Sequence, residues 1–358
     1  NVRILRGTRI VAQTEPGALA AETWESCFAI KYEKLVLATG ARERFLPFPG
    51  WTLPGVMGAG GLQALVKSGM RVRGARVVVA GSGPLLLAVA AYLRGHGAKI
   101  ALIAEQAPWP RVKSFAWKLL GHPAKAIQAA KLRASLAGVA YQAGWWPVAA
   151  GGGEKLEWVE LSDGARRRKI ACDYLACGFH LVPNTELAEL LGCRLRGPGV
   201  WADEWQESSE KGIFCAGELL GIGGVEAALI EGEIAGYAAA GNLDRARALF
   251  PARAAAREFA ELLEQTFALR DELKQLAAPE TLVCRCEDVA FARLADFGGW
   301  REAKLQTRCG MGPCQGRVCG PAVEFLFGWK ADSVRPPVFP ARLESLMVRA
   351  GKPRGGGE

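Results

Sequence analysis

The sequence is poor in histidine and has no C-x-x-C pair. Only three histidines occur in 358 residues. His96, His122 and His180 stand at a helix end, beside proline and in a strand-exit loop, without a partner motif for acid–base chemistry. We therefore nominate no catalytic proton-transfer residue. The missing C-x-x-C excludes the redox pair of a thioredoxin-reductase type of mechanism.

Long apolar runs and dense basic patches are also missing. The most apolar uncharged stretch, residues 77–93, is short for a bilayer span and is interrupted by Gly-Ser-Gly-Pro, so no transmembrane segment is predicted. The net charge of +9 is spread along the chain. Its tightest run, Arg166–Lys169, follows a predicted hairpin turn at Asp163-Gly164 and has no interleaved aromatic residues. We interpret this run as a solvated strand edge and expect no nucleic-acid partner.

A nucleotide-binding pattern is present over residues 76–105. A strand, a Gly-rich turn, a helix and a second strand that ends in an acid follow one another. The predicted contacts are Gly81, Ser82, Gly83, Pro84 and Glu105. A third glycine is absent, with Leu86 in its place. If a dinucleotide binds, Glu105 favours NAD over NADP, because a carboxylate repels a 2′-phosphate. The alternative to nucleotide binding is a retained fold whose site is blocked or empty.

Two strand exits with small residues flank this unit. One is Ala38-Thr39-Gly40, and the other is Gly217-Glu218, which precedes a Gly-rich turn and a helix predicted from about residue 225 to 240. A third exit, Ala176-Cys177-Gly178, echoes the first. This arrangement predicts one nucleotide fold inserted into another. The alternative is that these strand ends need small residues only for packing.

Ten cysteines divide into a scattered and a crowded group. The scattered cysteines are predicted to be reduced core residues: Cys27, Cys172, Cys177, Cys193 and Cys215. The crowded ones lie within 36 residues: Cys284, Cys286, Cys309, Cys314 and Cys319. A C-x-C followed by cysteines at a Gly turn before a helix can bring soft thiolates to one point, which predicts an iron–sulfur cluster. A four-cysteine zinc site and an empty fold remain open.

The strand exits and the inserted unit resemble two-dinucleotide-fold flavoprotein oxidoreductases. The resemblance rests on Ala38, Thr39, Gly40, Gly217 and Glu218. It implies FAD, with the carboxylate after the glycine near the ribityl and phosphate region and the next helix facing the pyrophosphate. That family usually has Asp where this chain has Glu218.

The cysteine module resembles the bacterioferritin-associated-ferredoxin-like (BFD-like) [2Fe–2S] module. The resemblance implies the ligands Cys284, Cys286, Cys314 and Cys319. The last two have a wider spacing than the usual C-x-x-C of that module, so Cys309 remains an alternative ligand.

Nearly the whole chain resembles one family, the flavoprotein subunit of hydrogen cyanide synthase, opine oxidase and heteromeric proline or hydroxyproline dehydrogenases. The segments that carry this resemblance are ATGARERFLPFPGWTLPGV, PNTELAELLG, GELLGIGGVEAALIEGEIAG and the cysteine module. It implies an electron-transferring subunit of an amine or amino-acid dehydrogenase, whose partner is a D-amino-acid-oxidase-like flavoprotein subunit with the substrate site. It also implies a respiratory-chain acceptor and a cytoplasmic location, either free or peripheral at the inner membrane through partners.

The expected fold is therefore α/β, with one Rossmann-like domain inserted in another and a small helical [2Fe–2S] domain. The predicted units are an incomplete FAD-binding type over 1–71 and 180–245, an inserted NAD(P) type over 72–179, a helical linker over 246–278, the cluster domain over 279–330 and a tail over 331–358. No strand–GxGxxG–helix unit precedes Ala38, so we expect that unit either to be missing or to lie on another polypeptide. In both cases this chain alone is expected to bind FAD poorly.

Two other functions remain open on the sequence alone. One is a self-contained NAD(P)H-dependent flavoprotein reductase that passes electrons to a carrier. The other is a non-catalytic scaffold whose nucleotide folds bind a regulatory nucleotide or nothing.

Overall fold

A computed structural model describes residues 2–331 and 333–348 of the chain. The end of the predicted tail, 349–358, lies outside these residues. Most strands are short, and the longest are three strands of seven residues each. In chain order the strands are β1 Arg9–Glu15, β2 Ala18–Glu22, β3 Cys27–Lys31, β4 Leu35–Leu37, β5 Ala41–Glu43, β6 Val56–Gly58, β7 Arg76–Ser82, β8 Lys99–Glu105, β9 Tyr141–Ala143, β10 Trp146–Gly151, β11 Trp158–Ser162, β12 Arg167–Ala171, β13 Tyr174–Phe179, β14 Leu181–Pro183, β15 Leu195–Arg196, β16 Gly199–Val200, β17 Ile213–Cys215, β18 Leu282–Cys284 and β19 Val289–Ala290.

The helices connect these strands and fill the last third of the described chain. They are α1 Ala59–Lys67, α2 Leu85–Gly95, α3 Trp109–Lys118, α4 Pro123–Ser135, α5 Glu186–Leu190, α6 Gly224–Ala239, α7 Leu243–Ala248, α8 Phe250–Phe267, α9 Phe291–Ala295, α10 Trp300–Thr307, α11 Cys319–Phe327 and α12 Leu343–Leu346. Short 3-10 helices cover Leu119–Gly121, Gly217–Leu220 and Asp271–Gln275. Within the described ranges, none of these helices combines the length and apolar character needed to cross a membrane.

The inserted unit is built on a five-stranded parallel sheet in the order β6-β13-β7-β8-β9. Its central strand β7 carries the continuous buried run Val77–Ala80, as expected of a parallel sheet covered on both faces. Helix α2 buries Leu86, Val89, Ala90 and Leu93, a helical spacing that turns one apolar face to the sheet. Strand β6 comes from the range 1–71, which the sequence assigns to the FAD-type unit; the domain boundaries stay a prediction.

The first glycine of the nucleotide turn is fixed by a close backbone approach. Gly81 has φ +143°, and a Cβ atom there would lie 2.1 Å from the carbonyl oxygen of Gly178 on β13. Only glycine allows β7 and β13 to meet at this point.

The FAD-type unit consists of smaller sheets. Strands β1, β2 and β3 form an antiparallel sheet, β4 pairs with β17 in parallel, and β5 pairs with β14 in the antiparallel sense. Residues from β2, β4, β16 and β17 share one core with α5. A separate antiparallel sheet, β10-β11-β12, contains the predicted hairpin. Its edge strand β12 carries Arg167–Lys169 with all three residues exposed, in agreement with a solvated strand edge.

Two helical regions are interrupted in the structure. Helices α3 and α4 are separate, because Pro123 begins a new helix rather than continuing the old one. The predicted helical linker over 246–278 contains the end of α7, then α8 and a 3-10 helix, with an extended residue at Ala268 (φ −46°, ψ 134°). Residues 266–276, which we name the strap, run from the end of α8 toward the cysteine module.

Candidate functional site

The first candidate site lies where β4 and β17 end. The two strands are parallel neighbours, with Leu37 opposite Cys215, so the residues that follow them emerge at one edge. The structure thus places at this edge the predicted flavin contacts Ala38, Thr39, Gly40, Gly217 and Glu218. Thr39 is fixed by Asn184: its Oγ1 donates to the Asn184 carbonyl oxygen at 2.7 Å, and Asn184 Nδ2 donates to the Thr39 carbonyl oxygen at 2.9 Å.

The carboxylate of Glu218 leaves one oxygen free for a ligand. Its Oε1 accepts the Gly224 N–H at 2.7 Å, while its Oε2 is buried and has no hydrogen-bond partner among the described residues. Burial also raises the pKa of Glu218. Gly40 has φ +68°, and a Cβ atom there would meet nothing within 4 Å, so the turn borders open space. A buried acceptor without a partner, at the strand edge that also carries the open Gly40 turn, fits the hydroxyl groups of a flavin ribityl chain.

The second candidate site is the turn between β7 and α2. Gly83 N–H donates to Glu105 Oε2 at 2.7 Å, and Ala107 N–H donates to Glu105 Oε1 at 2.8 Å, so the turn and the acid are bonded to each other. Glu105 is fully buried, and this burial raises its pKa to about 8. Ser82 Oγ donates to the Phe267 carbonyl oxygen at 2.7 Å, so the strap contacts this turn directly. Pro84 is exposed at the start of α2.

The third candidate site is built on the β18–β19 hairpin and the loop between α10 and α11. Cys284 ends β18, Cys286 lies in the hairpin turn, and Cys319 is the first residue of α11. A Cβ atom on Gly312 would lie 2.3 Å from Cys286 Cβ, so a glycine is needed where the long loop passes the hairpin. Local chain direction therefore brings the C-x-C segment against the later cysteines.

Three of the five thiols form a buried group. The sulfur atoms of Cys284, Cys309 and Cys319 lie within 4.8 Å of one another. Cys286 is exposed and hydrogen bonds with the thiol and the backbone N–H of Cys314. The buried group thus includes the alternative ligand Cys309, and the other two cysteines form an adjacent pair. The predicted four-ligand set stays a prediction.

Hydrogen bonds within the buried group favour the thiolate form at Cys284 over its two neighbours. Hydrogen bonds from the Cys309 and Cys319 thiols lower the pKa of Cys284 to about 2, with support from the backbone N–H groups of Gly310 and Glu287. The same interaction with Cys284 raises the pKa of Cys309 to about 12 and also raises the pKa of Cys319. A metal that takes all three sulfurs as thiolates must therefore displace protons, and the two backbone N–H groups suit an iron–sulfur site.

The cysteine module rests directly on the flavin-type site through Arg42. Arg42 Nε donates to the Arg317 carbonyl oxygen at 3.1 Å, and its Nη1 donates to Asn184 Oδ1 at 2.8 Å. The same Nη1 pairs with the Glu186 carboxylate at 2.8 Å. Since Asn184 also holds Thr39, one side chain joins the predicted flavin turn to the loop of the later cysteines.

Some residues of these sites cannot be found by sequence reasoning alone. Gln106 directly follows Glu105 and is fully buried, and its position at a strand end is the one available signal. Asn184 and Arg42 fall within segments that carry the family resemblance, but no pattern there indicates their contacts, because their partners lie far away in the sequence. Phe267 carries no local pattern.

Comparisons with known proteins agree with this architecture. The model of the pyridine nucleotide-disulphide oxidoreductase family matches residues 2–247. The hydrogen cyanide synthase subunit HcnB of Pseudomonas protegens is 34% identical over 322 residues, which cover 81% of this chain and 68% of that protein. An opine oxidase subunit from Agrobacterium tumefaciens is 30% identical over 360 residues, covering 88% of this chain and 70% of that protein.

One solved structure matches almost the whole chain. The crystal structure of L-proline dehydrogenase from P. horikoshii has a TM-score of 0.60 and 18% identity, and it covers 95% of this chain. The match spans 64% of that longer chain. The expected α/β two-dinucleotide-domain flavoprotein fold and the resemblance to this group are confirmed, whereas the BFD-like nature of the cysteine module stays a prediction.

Proposed function

Because the chain belongs to the pyridine nucleotide-disulphide oxidoreductase family, we propose that it is the electron-transferring flavoprotein subunit of a heteromeric amine or amino-acid dehydrogenase. The family makes it an oxidoreductase of the FAD- and NAD-binding type. Its relatives are named as subunits, of a hydrogen cyanide synthase and of an opine oxidase, which indicates partner subunits. Beyond the family, we propose the substrate class and the route of the electrons.

One observation carries this proposal: the cysteine module is joined to the flavin-type turn by Arg42. The guanidinium contacts the Arg317 carbonyl oxygen, within the loop between the later cysteines, and Asn184, which holds Thr39. Arg317 Nη1 in turn donates to the Cys314 carbonyl oxygen at 3.4 Å. A redox centre on the cysteines would therefore lie close to a flavin at the turn, as electron transfer requires.

The proposed cofactors are FAD and a [2Fe–2S] cluster. FAD would be held by the residues of the β4 and β17 ends, where the free Glu218 oxygen suits its hydroxyl groups. The proposed cluster ligands are Cys284, Cys286, Cys314 and Cys319, with Cys309 as the alternative. Bound there, a cluster would accept and release single electrons. The chain's own residues fix the thiols, donate two N–H groups to Cys284 and keep the buried group away from water.

The proposed partner is a D-amino-acid-oxidase-like flavoprotein that binds the amine, and the proposed acceptor belongs to a respiratory chain. This division of work is in keeping with the sequence, in which no partner motif accompanies His96, His122 or His180. His180 Nε2 donates to the Phe267 carbonyl oxygen at 2.6 Å, and burial lowers the pKa of His180. The Nε2 proton is therefore held in a structural hydrogen bond. We propose a cytoplasmic location, free or peripheral at the inner membrane through partners.

The test is the purified complex, isolated through a tag on this chain. We expect iron and acid-labile sulfide at about two atoms each per chain, flavin, and dye reduction that depends on one member of a panel of glycine, proline, hydroxyproline and opines. A complex without iron–sulfur absorption would favour a scaffold role. Flavin bleaching by NADH without an amine would favour a self-contained reductase.

A series of single Cys→Ser substitutions tests the ligand set. Cys284→Ser and Cys286→Ser should both lose the iron, since each alternative set contains them. Among Cys309, Cys314 and Cys319, one substitution should leave the iron content near that of the unaltered chain, and the others should remove it. Cys27→Ser, outside the module, is the matched control. Retention of iron in both Cys286→Ser and Cys314→Ser would contradict a four-thiolate cluster and indicate a three-cysteine metal site.

A further inference from the structure

The strap covers the nucleotide turn of the inserted domain. The Phe267 carbonyl oxygen accepts three hydrogen bonds: from Ser82 Oγ at 2.7 Å, from Gln106 Nε2 at 3.1 Å and from His180 Nε2 at 2.6 Å. The Phe267 ring lies above Gly83, where an added Cβ atom would be 3.9 Å from its Cγ. Phe267 itself is 4% exposed. This one carbonyl group therefore links Ser82 at the end of β7, Gln106 after β8 and His180 after β13.

The polar groups that a dinucleotide needs at this turn are already engaged. Gly83 N–H, the group that lets backbone approach a pyrophosphate, donates to Glu105. Both Glu105 oxygens accept backbone N–H groups and the side chain is fully buried, so ribose hydroxyls do not reach it. Gln106 Nε2 donates to the Phe267 and Ala268 carbonyl oxygens, and its Oε1 accepts the Arg270 N–H at 3.3 Å. Glu105 and Gln106 are both 0% exposed.

The strap is anchored on both sides of this contact. Before it, the Phe267 ring packs edge-on against Phe115 of α3, with 5.2 Å between centroids. After it, Leu273 is fully buried and Leu276 is 8% exposed, both within the large core beneath the inserted sheet. The Arg270 guanidinium lies over the Trp146 ring at 4.7 Å from its centroid. A segment held in this way is part of the packed core and not a loose lid.

We infer that the strap stands where the pyrophosphate and ribose of a dinucleotide would bind, so that the inserted domain of this chain does not take NAD(H). The family implies NAD at this fold, and the residues present do not fit it. Electrons must then enter from a donor other than NADH. This inference goes beyond the proposed function, because an NADH-binding chain could still carry iron and serve an amine dehydrogenase.

The test is a calorimetric titration of the full chain with NADH. We expect no saturable binding up to about 1 mM NADH. The double variant Phe267→Ala, Gln106→Ala removes the ring over Gly83 and the side chain that holds the strap, and it should bind NADH at least about tenfold more tightly than the unaltered chain. Phe259→Ala is the matched control: Phe259 lies on the same helix and packs on Phe115 and His122, and its removal leaves the Phe267 ring and the Gln106 side chain present, so this variant should not bind.

Two results would overturn the inference. One is saturable NADH binding to the unaltered chain together with new amide protection in residues 81–84. The other is a folded double variant, with normal circular dichroism, that binds NADH no better than the unaltered chain. If the double variant does not fold, hydrogen exchange on the unaltered chain decides alone: NADH should leave exchange in residues 81–84 and 266–270 unchanged, and protection there would refute the strap's role.

Discussion

Replacing Glu105 with Gln should remove a pH dependence of stability from the inserted domain. Glu105 is fully buried at the end of β8, and burial raises its pKa from 4.5 to about 8, although two backbone N–H groups partly offset that rise. Between these values the folded chain keeps the Glu105 proton, whereas the unfolded chain has released it. The free energy of unfolding therefore falls as pH rises through this interval.

The magnitude follows from the number of protons involved. One proton bound by the folded state alone gives a slope of about −1.4 kcal/mol per pH unit. Between about pH 5.5 and about pH 7.5, Glu105 should therefore lower the unfolding free energy of the unaltered chain by roughly 2–3 kcal/mol. The Gln side chain does not titrate, and its loss of one accepted hydrogen bond shifts stability equally at all pH values. The difference in slope therefore isolates the carboxyl group.

The assay is urea unfolding of both chains at several pH values, with the midpoint and m value fitted at each. Relative to the unaltered chain, Glu105→Gln should gain about 2–3 kcal/mol between the lowest and highest pH. Glu258→Gln, at an exposed position of α8, serves as the control for loss of a surface charge. Parallel pH profiles for the unaltered chain and Glu105→Gln would refute a buried carboxyl group that keeps its proton.

Two further changes test the packing around the sites. Gly81→Ala places a Cβ atom 2.1 Å from the Gly178 carbonyl oxygen and should lower the unfolding free energy by roughly 3 kcal/mol or more. The control Gly95→Ala, whose added Cβ atom would have no neighbour among the described residues within 4 Å beyond its own helix backbone and chain neighbours, should be neutral or stabilising by up to about 1 kcal/mol. Equal urea midpoints for the two variants would contradict the clash at Gly81. Arg42→Met should keep the iron but slow amine-dependent dye reduction, because the cysteine loop loses its hold on the flavin turn. Arg76→Met, which breaks an exposed pair with Asp173, is its control, and equal dye reduction by both would contradict a role for Arg42.

Much of the inserted fold could be predicted because its signals are local. The Val77–Ala80 run, the glycine turn and the spacing of Leu86, Val89 and Leu93 each reflect burial within a few residues of one another. The same holds for the small residues at the ends of β4 and β17, which follow directly from strands that pair in parallel. The division at Pro123 is also encoded locally, since proline favours the first turn of a new helix.

The contacts that decide the sites could not be predicted in this way. Ser82 and Phe267 are 185 positions apart, and nothing in either segment indicates the other. The Arg42 contact to the Arg317 carbonyl oxygen spans 275 positions. Its acceptor is a backbone oxygen, which every residue type has, so the sequence gives no signal for the contact. Spacing alone also cannot distinguish Cys309 from Cys314, because both follow α10 and precede α11; only the folded loop brings Cys309 to Cys284.

The strap belongs to the same chain as the nucleotide turn, so it competes for that turn more effectively than a free nucleotide does. A segment tethered to its own site acts at an effective concentration set by the chain, in the millimolar range even for a short flexible tether. A dinucleotide at lower cellular concentration would have to displace three hydrogen bonds to Phe267 and withdraw Leu273 from the core. The same backbone continues directly into the cysteine module. One segment of chain therefore both covers the nucleotide turn and leads to the proposed cluster site.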